Sequence, residues 1–369
     1  VSEFAFEVGA GDLARVMKVA AQVVERRNTL PILGHVLIDA SDEELRVTAT
    51  DLDVEFTQSI PAKVKADLAL AIPVERLAAI ANAVDAKSFI CFAADGNGRV
   101  VLRSGRSRWT LAVLPAEDFP RMPIKETAAA IAIDAARLAA VLARVMPFRS
   151  TNEVKFYLHG PLWHGENGQL ALAALDGNIL FQQIVDEIDW PEGAPEIILG
   201  PKGARIAELL CAAGGQAQFR WSEARIEFDL GDARLIAKNI DGTFPDYRRV
   251  IARKSDTPVT LNVETVRKSL ARLRIASDKK TNAVDLDLEE GTLALSMRSG
   301  DGEASARAEI AIQNGAVGAS AFNAQYLDTM LAAIGGADVV MHHDDGAAPA
   351  RFEPAEPDGC VGTIMVMRR

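Results

Sequence analysis

Ile131-Ala132-Ile133-Asp134 leads without a break into Leu138, Val141, Leu142, Val145 and Met146. The first stretch alternates with period two and the second carries the i, i+3, i+4, i+7 stripe of a one-faced helix, so a short strand runs straight into a helix. Asp134 stands where such a helix wants an N-cap acceptor. The pattern returns at Phe4-Ala5-Phe6-Glu7-Val8, followed by Leu13, Val16, Met17 and Ala20, and at Val259-Thr260-Leu261-Asn262, followed by Val266, Leu270 and Leu273. Gly9 and Asn262 take the cap position in those copies. Leu13, Leu138 and Val266 correspond, at offsets of 125 and 128 residues.

A second amphipathic stretch recurs in each third, over 74–84, 202–213 and 324–335. Between the two helices of each third lies an alternating, hairpin-like run, as in Leu45–Thr50, Leu170–Leu175 and Leu293–Met297. Further strands follow the second helix. The simplest account is an α+β chain of three similar domains, each with two helices and antiparallel sheet, divided at 1–126, 127–255 and 256–369. Pro- and Gly-containing junctions near Pro120–Glu126 and Ala252–Pro258 fit that division, and 369 residues suit two or three domains of roughly 100–200 each.

The composition, 49% apolar and 25% charged, is that of a soluble globular protein. No window approaches the roughly 18 uninterrupted apolar residues of a membrane span, and no basic-then-apolar leader opens the chain, so no membrane partner is expected. Three widely spaced cysteines, Cys91, Cys211 and Cys360, form no CxxC pair and point to a reducing cytoplasm. The net charge of −11 argues at first sight against nucleic acid.

The distribution of that charge reverses the inference. Residues 12–27 set Arg15, Lys18, Arg26 and Arg27 against Asp12 and Glu25, a net +2. Residues 136–149 carry Arg137, Arg144 and Arg149 with no acid, and residues 264–280, including Arg267 and Arg272, net +4. The three second helices are near neutral. Together the six segments hold +9, which leaves −20 for the remainder. A chain that gathers its cations on equivalent helices holds a polyanion there and repels it elsewhere. No base-reading motif stands out, so the grip expected is on phosphates, independent of sequence and sensitive to salt.

Catalytic signatures are wanting: there is no GxxxxGK[ST] loop, no GxSxG elbow and no HExxH. Asp51-Leu52-Asp53 has the form of a metal-binding DxD, which with the basic helices supports a minor alternative, a metal-dependent nuclease or phosphotransferase. His342-His343-Asp344-Asp345 reads better as an exposed polar turn than as a metal site. His35, His159 and His164 have no partnered nucleophile nearby in sequence. The expectation is a non-catalytic protein without catalytic residues, metal or cofactor.

Asn28-Thr29-Leu30-Pro31-Ile32-Leu33-Gly34 and Thr48-Ala49-Thr50-Asp51-Leu52-Asp53 closely resemble the start of the bacterial replicative sliding clamp family, the beta subunit of DNA polymerase III. The resemblance continues through 103–108, 114–120, 154–160 and Asp241–Val250, and closes at Phe322–Leu327 and Met365-Val366-Met367-Arg368. It implies three clamp domains per chain and two chains joined head to tail in a ring around double-stranded DNA. Such a ring tethers DNA polymerase III and other polymerases, the clamp loader and repair proteins. Kept fold with lost encirclement would leave an interaction scaffold, the second alternative.

By the resemblance, Arg27, Asn152 and Lys202 match positions near DNA; the charge pattern adds Arg15, Lys18, Arg137, Arg144, Arg267 and Arg272. Arg106, Arg108, Trp109 and Leu111 look like one edge of the dimer interface, and Ile275, Asp301, Glu303 and Glu309 like the other. A groove for short linear peptides is implied at Leu158, Leu175, Gly177, Leu180, Pro245, Arg249, Val250, Asn323, Tyr326, Met365, Met367 and Arg368. The chain departs from the family there: Asn178-Ile179 replaces a common His-Arg, Leu175 a small polar residue, Thr281 a frequent aromatic and Val366 a usual Pro, and Arg369 ends the chain in place of an apolar residue. A divergent or accessory clamp with a shifted peptide preference is expected.

Overall fold

In a computed structural model, residues 4–25, 29–123, 130–222, 224–278, 280–289, 291–312, 318–343 and 348–367 are described. Among the described residues six α-helices follow in chain order: α1 (Ala10–Val23), α2 (Val74–Ala83), α3 (Ala135–Val145), α4 (Pro201–Cys211), α5 (Val263–Leu273) and α6 (Ala324–Ile334). The strands Phe6–Gly9, Ile131–Asp134 and Val259–Asn262 run directly into α1, α3 and α5, as the alternation and stripe require.

The caps act as the sequence says. Asp134 Oδ1 accepts from the Arg137 amide at 2.8 Å, and Asn262 Oδ1 from the Thr265 amide at 3.1 Å. Each satisfies an amide that the first helical turn leaves without an internal partner. Gly9 offers no side-chain cap to α1, whose first turn carries Asp12 instead. Asn323 caps α6 through the amides of Gln325 and Tyr326, and Gly335, at φ +68°, ends it. Inward, α1 buries Leu13, Val16, Met17 and Ala20, and α5 buries Val266, Leu270 and Leu273. Each large side chain among these stabilises the fold by roughly 1.5–3 kcal/mol through removal from water.

Compactness divides the chain into two units: 1–139 with 202–239, and 140–201 with 240–369. Both cut across the division into thirds expected from the sequence, because sheets continue from one third of the sequence into the next. In the first unit, strand Ala233–Lys238 pairs antiparallel with Val54–Val64, from Ala233 opposite Gln58 to Ala237 opposite Val54, within a 13-stranded sheet. In the second unit, Ile179–Asp189 pairs with Cys360–Ile364 in an eight-stranded sheet. A four-stranded sheet accompanies it, in the order Ser305–Ala311, Thr292–Arg298, Ala283–Glu289, Gly318–Asn323. Among the described residues, no helix is long and apolar enough to cross a membrane.

Among the strands that end their sheets with one side unpaired in the described residues, two lie far apart in sequence. Ser107–Ala112 pairs only with Arg99–Ser104, and Ser305–Ala311 only with Thr292–Arg298. Each presents a row of backbone donors and acceptors, a template for another strand.

Helix α1 packs against α2, and its Gly11 lies against Ala86, in the turn that follows α2. Its amide donates to the Ala86 carbonyl at 3.2 Å, and a Cβ there would lie 2.9 Å from that same oxygen. Alanine is preferred over glycine inside a helix by about 1 kcal/mol, but forcing atoms into packed space costs about 1–3 kcal/mol. Gly11→Ala should therefore lower the melting temperature, as followed by circular dichroism; an unchanged or higher value would show that the turn at Ala86 gives way easily.

Candidate functional site

The cationic helices hold their charges in two different ways. Arg15 and Lys18 on α1 and Arg272 on α5 are exposed. Arg15 pairs with Asp12 at 3.2 Å along its own helix, and Arg272 donates to Ser269 Oγ at 3.2 Å. Arg267, also exposed, pairs with Asp328 at 2.8 Å. Arg137 is partly buried at the start of α3. Pairs as exposed as these are worth little and rearrange readily when a phosphate competes. Arg27 lies outside the described residues.

Lys202 and Asn152 are more committed. Lys202 Nζ bonds Asp51, Glu25 (3.1 Å) and the Val23 carbonyl (3.2 Å), tying the start of α4 to the end of α1 and to the turn before Val54–Val64. Burial works against its charge, but the hydrogen bond and field of Asp51, then of Glu25, outweigh that and hold it above the usual lysine range. Asn152 Oδ1 accepts from the Val154 amide at 3.0 Å, capping the 3₁₀ turn Glu153–Leu158.

Arg144, expected on an exposed face, is turned inward, its side chain only 17% exposed. Nε donates to the Ala333 carbonyl at 2.6 Å, Nη2 to that of Ile334 at 3.1 Å, and Nη1 to Asp358 at 2.7 Å. The guanidinium also lies over the Phe181 ring. It satisfies the last carbonyls of α6, where a cation meets the negative end of the helix dipole. Burial pushes the Asp358 carboxyl up, but hydrogen bonds from Cys360 and Arg144 outweigh it and keep it below the usual range. The reason is helical phase. Arg144 stands three residues after Val141 and two after Leu142, at the border of the apolar stripe, where a long side chain reaches in.

The DxD carboxylates are taken up by protein donors. Asp51 Oδ1 accepts from the amides of Asp53 and Val54, its other oxygen from Lys202, and Asp53 pairs with Lys238 at 2.8 Å. His342 Nδ1 accepts from the Ser255 amide, and Asp344 and Asp345 lie outside the described residues.

The apolar groove belongs to the second unit. Leu175, Gly177, Leu180, Pro245, Val250 and Met365 line a cavity of about 220 Å³, joined by Asn178, Ile179, Asp246, Tyr247 and Thr363. Its wall is a turn in which Asp176 Oδ1 accepts from the amides of Asn178 (2.7 Å) and Ile179 (3.0 Å), with Gly177 at φ +103°. Leu158 lies behind it, in a cluster with Leu162, Phe244 and Tyr247. Tyr326 does not line the cavity; its hydroxyl donates to Asp176 Oδ2 at 2.7 Å and so fixes the turn. Burial, then the Asp176 hydrogen bond, pushes that phenol up to about 12. Asn323 is occupied in capping α6, and the Met367 amide donates to Ala321. Arg249 stands outside the cavity, 84% exposed and paired with Asp246 at 2.8 Å. Arg368 lies outside the described residues.

Asp246, Tyr247 and Thr363 are lining residues that sequence reasoning passed over. Tyr247 is fully buried, its hydroxyl 2.8 Å from His164 Nε2, and His164 Nδ1 lies 3.0 Å from Arg248. Burial holds the His164 imidazole below the usual histidine range and pushes the Tyr247 phenol up. Of this, only the alternation Leu162, His164 with Trp163 between them gave a signal, since a strand with both faces covered buries its histidine.

The edge strands Ser107–Ala112 and Ser305–Ala311 differ in charge. Arg106 and Arg108 are exposed at the first, where Trp109 and Leu111 are half-buried. At the second, Asp301, Glu303 and Glu309 are exposed, and Ile275 nearby in sequence is 91% exposed.

The chain thus carries exposed cations on helices, an apolar slot and unpaired sheet edges. The class they define is the DNA sliding clamp. The chain belongs to the DNA polymerase III beta subunit family, whose N-terminal domain matches residues 4–123 and whose C-terminal domain matches 248–368. It is 32% identical over 367 residues to the beta sliding clamp of Caulobacter vibrioides, covering 96% of this chain and 97% of that protein. It is 26% identical to that of Escherichia coli K12, at 98% and 99%. The solved beta subunit of Bartonella birtlesii, bound to griselimycin, superposes with a TM-score of 0.94 at 28% identity over 100% of both chains. The Caulobacter crescentus sliding clamp gives 0.89 at 30%, again over 100% of both. Its function is that of a DNA sliding clamp, which confers processivity on DNA polymerase.

Two outcomes follow. Arg144→Glu should destabilise the chain by roughly 2–4 kcal/mol in urea unfolding, since it strands Asp358 and the α6 carbonyls, whereas Arg272→Glu should change stability by less than about 0.5 kcal/mol. Equal effects would mean that Arg144 is a surface residue. His164 supplies a pH test: the folded chain refuses a proton that the unfolded chain takes up at about 6.5. The penalty is absent well above that pH, grows as pH falls through it and levels off below the folded pKa. Melting temperatures should fall more steeply from pH 7 to 5 in the parent than in His164→Gln; parallel curves would remove His164 from the account.

Proposed function

We propose that two copies of the chain close head to tail into a ring around duplex DNA, Ser107–Ala112 of one copy meeting Ser305–Ala311 of the other. The observation that carries this reading is the opposite charge of two of the open edges, one presenting Arg106 and Arg108, the other Asp301, Glu303 and Glu309. Strand addition satisfies both rows of backbone groups, burial of Trp109, Leu111 and Ile275 supplies most of the affinity, and the charges set partner and direction. Each chain then contributes three clamp domains, 1–126, 127–255 and 256–369, and the ring has no catalytic role of its own.

Arg15, Lys18 and Arg272, with Arg137 and Arg267, meet phosphates on this reading; Arg27, Lys202 and Asn152 come from the family pattern. Enclosure replaces tight binding, so the grip tolerates sliding and weakens with salt. The groove takes short apolar peptides from polymerases, the clamp loader and repair proteins. Leu175 and Ile179, both buried at its wall, make it more apolar than the family pattern and support a shifted peptide preference. The uptake of Arg144 and Lys202 by carboxylates favours one second reading, a clamp-fold scaffold that does not encircle DNA.

The test is loading onto nicked circular DNA. Retention on the circle with release on linearisation is expected, together with sedimentation of the free chain as a dimer. Trp109→Ala should shift sedimentation to monomer and abolish retention. Retention that survives linearisation, or a parent chain that is monomeric and never retained, would favour the scaffold.

A further inference from the structure

Tyr247 supplies the aromatic ring among the described lining residues of the apolar groove, and that ring is held by titratable groups. It packs with Leu175 and Leu180 of the wall and meets Phe244 edge-on, at 6.3 Å between centroids. The Arg248 guanidinium lies 5.2 Å from the centroid of the ring. Its hydroxyl meets His164 Nε2 at 2.8 Å, on a fully buried side chain that is not itself among the described lining residues. His164 belongs to the strand Leu162–Glu166, and its Nδ1 lies 2.9 Å from the Gly165 carbonyl and 3.0 Å from Arg248 Nη2. The charges that face the imidazole are Arg248, Glu166 (4.0 Å away and paired with Arg248 at 2.7 Å) and Glu196, just before the strand Ile197–Ile198. A neutral imidazole has one donor and one acceptor nitrogen, so it partners the Tyr247 hydroxyl in either tautomer. An imidazolium has two donors, and its Nδ1–H then confronts Arg248 Nη2, a donor that carries the same charge. Burial disfavours that charge more than the Gly165 carbonyl and the two glutamates favour it.

We infer that His164 is a positioning residue for the groove: neutral, it fixes Tyr247 in the wall, and on taking up a proton it drives Arg248 from the ring and weakens the hold on an apolar ligand. The inference rests on the groove being a peptide site and adds the buried residue that tunes it. The sign follows from linkage. An apolar side chain seated against Tyr247 removes water from that side of the cluster and so disfavours the imidazolium further. His164 then takes up its proton at a lower pH in the occupied groove than in the empty one, and protonation in turn opposes occupancy. Affinity is complete above the titration of the empty groove, falls as pH drops through it, and levels off once the occupied form is protonated too. A histidine that served only the fold would change stability and leave the pH profile of peptide binding untouched.

The test uses the full-length chain and one rhodamine-labelled peptide with a leucine–phenylalanine anchor, serine flanks and blocked termini, so that no peptide group titrates. Anisotropy titrations run from pH 7.5 to 5.5, with circular dichroism checking the native state at each pH. At pH 7.5, Tyr247→Phe and His164→Leu should each weaken binding about three- to ten-fold, as the loss of one buried hydrogen bond does. His164→Gln keeps a donor and an acceptor but takes up no proton, and should recover most of what His164→Leu loses. Down to pH 5.5 the parent should weaken about three- to ten-fold while His164→Gln stays level. A parent profile no steeper than that of His164→Gln overturns the inference and leaves the groove reading standing. Tyr247→Phe that binds like the parent at pH 7.5 does the same. Failure of the peptide to bind the parent at every pH overturns the groove reading, and the inference with it.

Discussion

Backbone hydrogen bonding across sheet edges is the constraint on which the rest of this structure depends. Every strand must find partners for its amides and carbonyls or leave them to water. Within each unit the chain meets this by running sheets from one third of the sequence into the next, Ala233–Lys238 onto Val54–Val64 and Ile179–Asp189 onto Cys360–Ile364. The second of these pairings is also what brings Thr363 and Met365 beside Leu180 and Ile179 to form a wall of the groove. The groove of this chain is therefore a by-product of sheet closure.

Charge is handled as economically as backbone polarity. The basic helices carry two classes of cation that no count distinguishes. Arg15, Lys18 and Arg272 stay in water, where their partners are weak and replaceable. Arg144 and Lys202 are used to tie elements within their own units, Arg144 closing the C-terminus of α6 and Lys202 bridging α4 to Asp51. A sliding grip needs the first class; many cations fixed rigidly toward phosphate would bind tightly and stall. The net −11 is compatible with DNA because what matters is where the positive charges sit, not their total.

Helix positions, the caps Asp134 and Asn262 and the recurring strand-into-helix order were legible in the sequence, since 3.6-residue and two-residue periods and a capping residue before a stripe are local signals. The groove was partly legible, with Leu175, Leu180, Pro245, Val250 and Met365 on its wall, through resemblance rather than spacing. What stayed hidden is non-local. Nothing near Arg144 in sequence announces Ala333 or Asp358, and nothing near Tyr326 announces Asp176, some 150 residues away. The compact units were hidden for the same reason: pairing Val54 with Ala237 is a fact about register across the fold, while periodicity speaks only of one strand's faces.

Amide hydrogen exchange of the purified chain, resolved by segment, tests ring closure most directly. If two copies join edge to edge, 107–112 and 305–311 exchange as slowly as interior strands such as 170–175, and dilution that separates the copies speeds both together. Rapid exchange at both segments at every concentration, with the interior strands protected, would contradict closure.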